Sequence, residues 1–526
     1  MGFARVASRA QLGLAAPNVW VEVHLGGGLP TSNIVGLPAK AVKESKDRVR
    51  AAIATSGFEF PAGRITVNLS PADLPKEGCR YDLPIALGIL LASAQIEFAP
   101  DLLDSCEFYG ELGLAGELKP VKGVILAAAH AGREARTVVV PAANLAEAHL
   151  AAPETAHGAT SLLDVCEKLG RRASLTALPR VIADASAAHT VPVEQRTLDL
   201  SDVRGQAQPK RALLIAAAGG HSLLLVGPPG TGKTMLAQRL AGLLPGLEAG
   251  AALDVASIAS VSGRGFAPRD YGRRPFRAPH HSASASAIIG GGPHARPGEV
   301  SLAHHGVLFL DELPEFNRAV LESLREPLES GVVAIARARL QVEYPARFQL
   351  IAAMNPCPCG HLGDVSGRCR CAPPEISRYR SRISGPLLDR IDLRVEVPAL
   401  PSEELLGEGA AFDAANGTAG CARRVRGAWE LQQFRGGKLN AHLSGKEIEQ
   451  ACGLDRQCRR LLAQARAKLN LSARAIHRAL RVARTIADLE KADPDRSTAQ
   501  KQTGPGNESI GPVHLAEALQ LRRAID

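Results

Sequence analysis

Three short apolar runs in the middle of the chain predict buried strands. Leu223–Val226 is a run of four apolar residues, and similar runs occupy 307–310 and 348–354. Apolar stretches of this length, bounded by glycine or polar residues, are typical of strands that helices cover on both faces. Residues 235–244 then have the apolar spacing of a helix. The pattern predicts an α/β domain, which we place at 198–400.

The N-terminal third of the chain alternates short strands with helices. The predicted elements are strands at 19–24, 64–69 and 136–140 and helices at 39–55 and 124–131. This mixture predicts an α+β domain with its own core over residues 1–170. Residues 171–197 mix Ala, Ser, Pro and Val without a sustained period, which predicts a linker.

The chain is predicted to be helical over 401–526. The clearest element is an amphipathic helix at 471–489, with Ser472 as its N-cap. Its apolar face contains Ile476, Leu480, Ala483 and Ala487, and its basic face contains Arg474, Arg478 and Arg481. The basic face either meets phosphates of DNA or is solvated, and the pattern does not decide between the two.

The composition is that of a globular protein of several domains. The 526 residues are too many for one core, and 45% of them are hydrophobic. No apolar run approaches the length of a membrane span, and the first residues lack the pattern of a signal peptide. We therefore expect a cytoplasmic protein without membrane contact, whose ten cysteines are reduced or metal-bound. The net charge of +9 favours a polyanionic partner, and a general bias toward arginine is the weaker alternative.

The first strand leads directly into GPPGTGKT, which matches the P-loop pattern G-x-x-x-x-G-K-[ST]. In the context of strand, loop and helix, the backbone N–H groups of this motif surround phosphate. Lys233 is expected to reach the β- and γ-phosphates, Thr234 to hold Mg²⁺ through its hydroxyl, and a helix at 210–218 to lie beside the base. The predicted nucleotide-binding residues are Gly227, Pro228, Pro229, Gly230, Thr231, Gly232, Lys233 and Thr234.

The second apolar run ends in two acids, Asp311 and Glu312. Their position after a strand puts both carboxylates at the carboxyl edge of the sheet, beside the P-loop. Asp311 is expected to help hold Mg²⁺, and Glu312 is expected to polarise the attacking water. Together with the P-loop, the pair indicates nucleotide hydrolysis.

Four cysteines follow the third run as C-x-C-x₉-C-x-C. They are Cys357, Cys359, Cys369 and Cys371. Four thiols close together in a reduced compartment suit a tetrahedral Zn²⁺, although the C-x-C spacing is tighter than the usual gap. Two redox pairs or free thiols are the alternative. The predicted zinc module covers 355–373.

Two further segments predict insertions in the α/β domain. Residues 262–299 are rich in Gly, His and Arg and predict loops and hairpins. Within them, the adjacent His280 and His281 favour a loop or interface role, because neighbouring side chains cannot easily face one ion. Residues 331–344 predict a β-hairpin near whose tip lie Arg337 and Arg339.

The motifs occur in an order that resembles the ComM/YifB family of magnesium-chelatase-like AAA+ ATPases. The resemblance covers essentially the whole chain, through the P-loop, the Asp311-Glu312 strand, NPCPCG at 355–360, LLDRID at 387–392 and SARAIHRALRVARTIADL at 472–489. It implies a hexameric motor that uses ATP and Mg²⁺ and acts on single-stranded or branched DNA. It also implies branch migration during natural transformation and recombination proteins as partners.

The resemblance assigns roles that spacing alone does not. Asn355 matches the sensor 1 amide that orients the water near the γ-phosphate. Arg390 matches an arginine finger, which completes the site of a neighbouring subunit. Arg474 matches the sensor 2 arginine, which reaches back to the γ-phosphate from a C-terminal helical lid. Arg337 and Arg339 match the hairpin that lines a central pore and would grip DNA, while a solvated hairpin end is the alternative.

The N-terminal segments 70–90 and 116–132 resemble the Lon-protease-like domain of the same family, which has a ribosomal S5 domain 2-like fold. In active Lon proteases, K-[DE]-G is followed two residues later by the nucleophilic serine. Here the corresponding residues, 76–78, are followed by Cys79 and Arg80. We therefore expect an assembly or regulatory module without peptidase activity, because nucleophile and base must be placed together.

Two other functions share parts of this pattern. A magnesium chelatase subunit, which inserts Mg²⁺ into a porphyrin, has the same core motifs, but the protease-like domain and the four cysteines are foreign to that role. An ATP-dependent protease is disfavoured because Cys79 and Arg80 stand where the nucleophile should lie. The ligand that raises ATP turnover, whether DNA, a porphyrin or an unfolded protein, separates the three.

Overall fold

The computed structural model describes residues 2–169, 198–263, 265–292, 295–337, 340–363, 367–401, 417–469, 471–493 and 509–522. The predicted linker at 171–197 lies outside these residues, and so does Arg339.

The described N-terminal residues form one large sheet, a small hairpin and seven helices. The strands are β1 (Gly2–Arg9), β2 (Asn18–Gly26), β3 (Thr31–Val35), β4 (Arg64–Ser70), β5 (Cys106–Phe108), β6 (Glu111–Leu112), β7 (Leu118–Lys119), β8 (Thr137–Pro141) and β9 (Ala156–Ala159). The helices are α1 (Lys40–Lys43), α2 (Ser45–Thr55), α3 (Asp82–Ala92), α4 (Pro100–Ser105), α5 (Val124–Arg133), α6 (Leu145–Ala151) and α7 (Leu162–Leu169).

The N-terminal sheet has the strand order β3-β4-β2-β1-β5-β8-β9. Strand β2 is antiparallel to β1 and β4, and the remaining neighbours are parallel. Alternate residues of β2 are buried, as expected for a strand with one face on a core. All three predicted strands are present. The predicted helix at 39–55 was wrong in one respect, because it is divided between α1 and α2; the second begins at Ser45, whose buried hydroxyl donates to Asp82.

The central region places its strands among nine described helices. The strands are β10 (Leu223–Val226), β11 (Phe276–Arg277), β12 (Gly290–Gly291), β13 (Arg296–Pro297), β14 (Val307–Leu310), β15 (Val332–Arg337), β16 (Leu340–Pro345), β17 (Gln349–Met354) and β18 (Leu393–Glu396). The helices are α8 (Ala207–Gly219), α9 (Lys233–Leu243), α10 (Ala249–Val261), α11 (Ala285–Ile289), α12 (Glu299–Leu302), α13 (Arg318–Ser323), α14 (Arg325–Ser330), α15 (Pro373–Arg380) and α16 (Gly385–Leu388).

Five parallel strands form the central sheet in the order β11-β14-β17-β10-β18. Every residue of β10, β14 and β17 is buried, because structure covers both faces of the sheet. Leu223 and Leu225 pack on one side with the C-terminal helices, whereas Leu224 and Val226 pack on the other with the inserted segments. The three apolar runs are therefore adjacent strands whose carboxyl ends meet at one edge, where open parallel sheets bind ligands.

The two predicted insertions differ in regularity. The segment 262–299 contains the edge strand β11 and helix α11 as well as a short β12–β13 hairpin, so it is more ordered than its composition suggested. The hairpin predicted at 331–344 is confirmed as β15 and β16, with Arg337 opposite Leu340 at the end of the pairing.

The C-terminal region is helical, as predicted. Its helices are α17 (Thr418–Gly436), α18 (Gly445–Cys452), α19 (Arg456–Leu469), α20 (Ala473–Lys491) and α21 (Pro512–Gln520). Ser472 caps α20 by accepting a hydrogen bond from the Ala475 N–H at 3.1 Å, which confirms the predicted start of this helix. None of the described helices combines the length and the apolar character that crossing a membrane requires.

The N-terminal region contacts the β15–β16 hairpin through a tight turn. Gly13 has a φ of +60°, and a Cβ added there would lie 2.2 Å from Val342 Cγ1. The close approach therefore requires glycine. A second contact joins the N-terminal region to helix α10 of the central region, because the Ser260 hydroxyl donates to Glu147 Oε1 at 2.5 Å.

Candidate nucleotide-binding site

The P-loop joins strand β10 to helix α9 at the carboxyl edge of the central sheet. Gly230 and Gly232 have φ values of +77° and +89°, and this left-handed conformation favours glycine. The loop borders a cavity of about 380 Å³, which we call the P-loop cavity. It is lined by Pro229, Gly230, Thr231, Gly232, Lys233, Thr234, Met235, Asp311, Glu312 and Asn355.

Lys233 is held at this cavity by three neutral oxygens. Its Nζ donates to the carbonyl oxygens of Gly227 and Pro228, both at 2.7 Å, and to Asn355 Oδ1 at 3.1 Å. Burial lowers the pKa of Lys233, whereas the charges of Asp311 and Glu312 act in the opposite direction. A partly buried ammonium group with neutral partners suits a phosphate oxygen. The structure thus brings together Lys233 and Asn355, two of the residues expected at the γ-phosphate.

Thr234 and Asp311 provide adjacent oxygen atoms beside Lys233. The Thr234 hydroxyl donates to Asp311 Oδ2 at 2.7 Å, and the backbone N–H of Glu312 donates to Asp311 Oδ1 at 2.9 Å. Hydroxyl and carboxylate oxygens are the ligands that Mg²⁺ prefers. These residues therefore fit the magnesium site predicted for them.

Glu312 has a conformation that its sequence position did not reveal. Its φ is +51°, which is uncommon for a residue other than glycine. Its Oε2 lies 3.1 Å from His281 Nδ1, and the His281 ring packs against His280 with 4.1 Å between centroids. The predicted loop role of these histidines thus includes a direct contact with the acid. The sequence did not predict this contact, because residues 262–299 have no hydrophobic periodicity from which the direction of their side chains could be inferred.

The four cysteines lie immediately beyond Asn355. Cys357 Sγ lies 3.4 Å from Cys359 Sγ and 3.7 Å from Cys369 Sγ, and all four thiols, including Cys371, are within 4.8 Å of one another. Four sulfurs at about 2.3 Å from a tetrahedral zinc would be about 3.8 Å apart. The cluster is therefore compatible with zinc. Gly360, which follows Cys359, lies against the P-loop, because a Cβ added at Gly360 would lie 2.7 Å from Pro229 Cδ.

Arg390 and Arg474 lie together in a different cavity. This cavity, of about 610 Å³, separates the central region from the C-terminal helices, and we call it the arginine cavity. Arg390 donates to Pro386 O at 2.7 Å and to the Glu329 carboxylate. Neither arginine lines the P-loop cavity. Within one chain, the structure therefore does not bring Arg474 to the P-loop cavity, and its predicted role at the γ-phosphate stays a prediction.

The direction of the strands explains this separation. Arg390 precedes β18, so it lies at the amino edge of the parallel sheet, whereas the P-loop follows β10 at the carboxyl edge. Helix α20 docks at the amino edge, because Arg478 Nη1 donates to Asp392 Oδ1 at 2.6 Å and to Arg390 O at 2.8 Å. Contacts between distant segments thus set the position of Arg474.

Two arginines on the basic face of α20 are engaged within the chain. Arg478 pairs with the buried Asp392, and Arg481 donates to the carbonyl oxygen of Leu443. Burial alone would raise the pKa of Asp392, but its contacts with His221 and Arg478 hold it below the usual range. Arg478 and Arg481 are therefore neither a solvated stripe nor a stripe free to bind DNA. Neither of the two interpretations of this face describes these two residues.

Cys79 does not have the properties of a nucleophile. Burial raises the pKa of its thiol to about 11, the charge of Arg48 opposes this, and the reactive thiolate is therefore scarce. At the serine position, Arg80 donates to Gln11 Oε1 at 2.8 Å and to Lys122 O at 2.9 Å. A structural contact thus stands where an active protease has its nucleophile.

Comparison with known proteins assigns the class of this site. Residues 199–405 match the family model described as magnesium chelatase, subunit ChlI. Residues 21–144 match a model described as subunit ChlI of Mg-chelatase, and 415–500 match that of the ChlI C-terminal part. With the parallel sheet and the P-loop, these matches define a magnesium-chelatase-like AAA+ ATPase, a class whose site implies ATP and Mg²⁺.

The chain belongs, within this class, to the ComM/YifB family. It is 47% identical over 525 residues to the competence protein ComM of Haemophilus influenzae, covering 100% of this chain and 98% of that protein. It is 48% identical over 527 residues to YifB of Escherichia coli, with the same coverage. Its similarity to the magnesium-chelatase 38 kDa subunit of Rhodobacter capsulatus is 30% over 198 residues, which is 34% of this chain and 55% of that protein.

Proposed function

We propose that this chain is the subunit of a hexameric, ATP-dependent DNA motor that drives branch migration. The separation of Arg390 and Arg474 from the P-loop cavity carries this proposal. The two arginines would act on the nucleotide of a neighbouring copy, so that each ATPase site is shared between two chains. An interface that joins unlike edges of identical subunits closes into a ring when its rotation allows.

Within each shared site, the residues have distinct tasks. Lys233 and Asn355 would bind the γ-phosphate, and Thr234 and Asp311 would hold Mg²⁺, which neutralises charge on the phosphates. Glu312 would accept the proton of the attacking water. Arg390 of the next copy would stabilise the charge that develops on the transferred phosphoryl group, and Arg474 would assist it there.

DNA is proposed as the track of this motor. Arg337 and Arg339 of the β15–β16 hairpin would contact its phosphates. Helix α14 carries Glu329, which contacts Arg390, and it leads directly into β15. A change at the shared ATPase site would therefore reach the hairpin through one short helix. The ComM relative is a competence protein, and we propose natural transformation, with recombination proteins as partners, as the setting.

The domain organisation is part of the same proposal. Residues 1–170 would be a Lon-protease-like domain without peptidase activity, joined by the linker 171–197 to an AAA+ core at 198–400. The core would include the zinc module at 355–373, and 401–526 would be the helical lid. The contact of Gly13 with Val342 supports a role for the N-terminal domain in bracing the hairpin.

The ligand that stimulates ATP turnover tests the proposal. The purified chain should hydrolyse ATP faster with single-stranded DNA or a four-way junction, and it should move the junction. Porphyrin and an unfolded polypeptide should have no effect. Stimulation by porphyrin alone would instead support a magnesium chelatase subunit, and stimulation by unfolded protein alone would support a protease-linked motor.

A further inference from the structure

Helix α19 has a strongly basic outer surface, which we call the α19 face. The helix carries five basic residues and no acid, and all five are exposed: Arg456, Arg459, Arg460, Arg466 and Lys468. Arg459 Nε donates to Leu454 O at 3.3 Å, but none of the five is paired with a carboxylate within the part of the chain that the structure describes. The basic face of α20 is different, because its Arg478 and Arg481 have partners inside the chain.

The opposite side of α19 is used in packing. Cys458, Leu462 and Ala465 belong to the core that the C-terminal helices share with the central sheet. Cys458 Sγ also donates to Ile510 O at 3.4 Å, which ties the helix to the segment before α21. An amphipathic helix that enters a lipid surface needs an exposed apolar face. Because α19 buries its apolar side, it presents mainly charge to its surroundings.

The charges of the α19 face are arranged unfavourably for the helix itself. Arg456, Arg459 and Arg460 lie at the N-terminal end, where the helix dipole repels cations. Arg456 and Arg460 are also four positions apart, and like charges at this spacing repel each other. Asp455 precedes the helix and accepts the Cys458 N–H at 2.6 Å, so one negative charge stands against three positive ones. A bound anion would relieve this repulsion.

The α19 face and the β15–β16 hairpin lie on opposite sides of the central sheet. Leu462 of α19 belongs to the core that contains Leu223 of β10, whereas Val342 of the hairpin belongs to the core that contains Leu224. Successive residues of a strand point to opposite faces of a sheet. Within one subunit, different segments of a nucleic acid would therefore meet the hairpin and the α19 face. A branched molecule supplies such segments as separate arms.

We propose that the α19 face is a second DNA-binding surface, which contacts the phosphates of one DNA arm while the hairpin contacts the track. This proposal rests on the proposed DNA motor. From Arg456 to Lys468 the helix is about 18 Å long, which matches about five phosphates along one strand. Lys and Arg contacts to phosphate carry no sequence information, and α19 has no aromatic residue on which a base could stack. The surface therefore holds DNA of any sequence.

A triple variant, Arg456→Gln with Arg460→Gln and Arg466→Gln, removes charge from the face. Glutamine is about as good a helix former as arginine, so the thermal transition should be kept or raised. The measurement is binding of a fluorescent four-way junction to the full-length protein, with a non-hydrolysable ATP analogue and at several salt concentrations. Affinity should fall about tenfold or more, and the slope of log affinity against log salt should fall by about three.

The matched control removes the same net charge from exposed arginines elsewhere. It combines Arg64→Gln, Arg133→Gln and Arg423→Gln, and it should bind the junction as the wild type does. Combining the triple variant with the hairpin variant Arg337→Ala and Arg339→Ala should add the two losses of salt slope, because the surfaces are separate.

Ala463→Glu distinguishes DNA contact from a structural role of the same charges. Ala463 is exposed, and Arg459 and Arg460 lie four and three positions before it. A glutamate there forms favourable pairs along the helix, so the thermal transition should be kept or raised. The same glutamate repels phosphate, so affinity for the junction should fall about threefold or more. Stability and DNA binding should thus change in different directions.

The outcomes separate this inference from the proposed function. If the wild type binds the junction and both variants keep its affinity and salt slope, the α19 face is only solvated and the inference is overturned, while the proposed motor stands. Polyglutamate and vesicles containing phosphatidylserine are the competing probes. Loss of binding to either one with unchanged junction binding would assign the face to an acidic protein or a membrane instead. A wild type that binds no DNA would overturn the proposed function as well. If the triple variant does not fold, Ala463→Glu decides.

Discussion

His281 Nδ1 lies 3.1 Å from Glu312 Oε2. The contact joins a residue from the irregular segment 262–299 to the acid expected to activate water. The left-handed backbone of Glu312 and the imidazole together set the direction of its carboxylate. We therefore expect His281 to act as a positioning residue that orients Glu312, the acid proposed as the base.

Replacing His281 with alanine should lower kcat about tenfold, because a base that is not held in position accepts the proton of water less often. The KM for ATP should change little. His281→Asn offers a side-chain N–H in place of Nδ1–H and should restore most of the rate, while His24→Ala, at an exposed histidine of β2, serves as the control. A raised KM with an unchanged kcat would contradict the positioning role.

Lys233→Ala and Glu312→Gln should have different defects. Loss of the Lys233 ammonium should weaken nucleotide binding about tenfold or more, because charge-assisted hydrogen bonds to phosphate are lost. Glu312→Gln should bind ATP normally but hydrolyse it about a hundredfold more slowly or worse, because it cannot accept a proton. Equilibrium binding and single-turnover rates measure the two effects. Near-normal turnover in Glu312→Gln would show that another group is the base.

Arg390→Ala should abolish most of the ATPase activity while leaving ATP binding intact, with the loss of about a thousandfold or more that is typical when an arginine finger is removed. Mixed with Lys233→Ala, it should recover part of the activity, because some interfaces then combine an intact P-loop with an intact finger. Arg382→Ala, which removes a nearby exposed arginine, is the control. Mixed rings that form but remain inactive would refute action between subunits.

Protein purified without an affinity tag should contain one zinc per chain. The measurement is elemental analysis together with thiol titration before and after chelation. Cys371→Ser should lose the metal, whereas Cys79→Ser, outside the cluster, should keep it. Four freely reacting thiols at 357, 359, 369 and 371 in metal-free native protein would rule the zinc site out.

Replacing both Arg337 and Arg339 with alanine should uncouple the motor from DNA. Basal ATPase should remain, while stimulation by DNA and movement of a four-way junction should be lost. The slope of log affinity against log salt should fall by about one for each phosphate contact removed. Arg64→Ala with Arg133→Ala removes two exposed arginines elsewhere and is the matched control. Unchanged DNA stimulation in the hairpin variant would exclude these residues as the track contacts.

The sequence predicts the central strands well because burial determines them locally. Four consecutive apolar residues before the P-loop predict a buried strand, which is β10. The apolar run of β14 predicts a second buried strand in the same way, and the two acids come directly after it. The parallel arrangement then places Asp311 and Asn355 at one edge without further information. For these residues, order along the chain determines position in space.

Arg474 and His281 could not be placed in the same way. The helix that carries Arg474 was predicted with its N-cap, but its docking depends on the pairing of Arg478 with Asp392, which lies on a distant segment. His281 belongs to a stretch without a hydrophobic period, so no pattern indicated its neighbour. Long-range polar contacts, unlike strand burial, have no local signature.

The close approach of Gly360 to Pro229 restricts how this protein can change over evolutionary time. With a φ of +81° and only 2.7 Å between its added Cβ and Pro229 Cδ, position 360 admits no other residue unless the P-loop itself moves. A lineage that replaced Gly360 would therefore need a compensating change in the P-loop. The two positions are far apart in the gene, and this single contact makes the tolerance of one depend on the other.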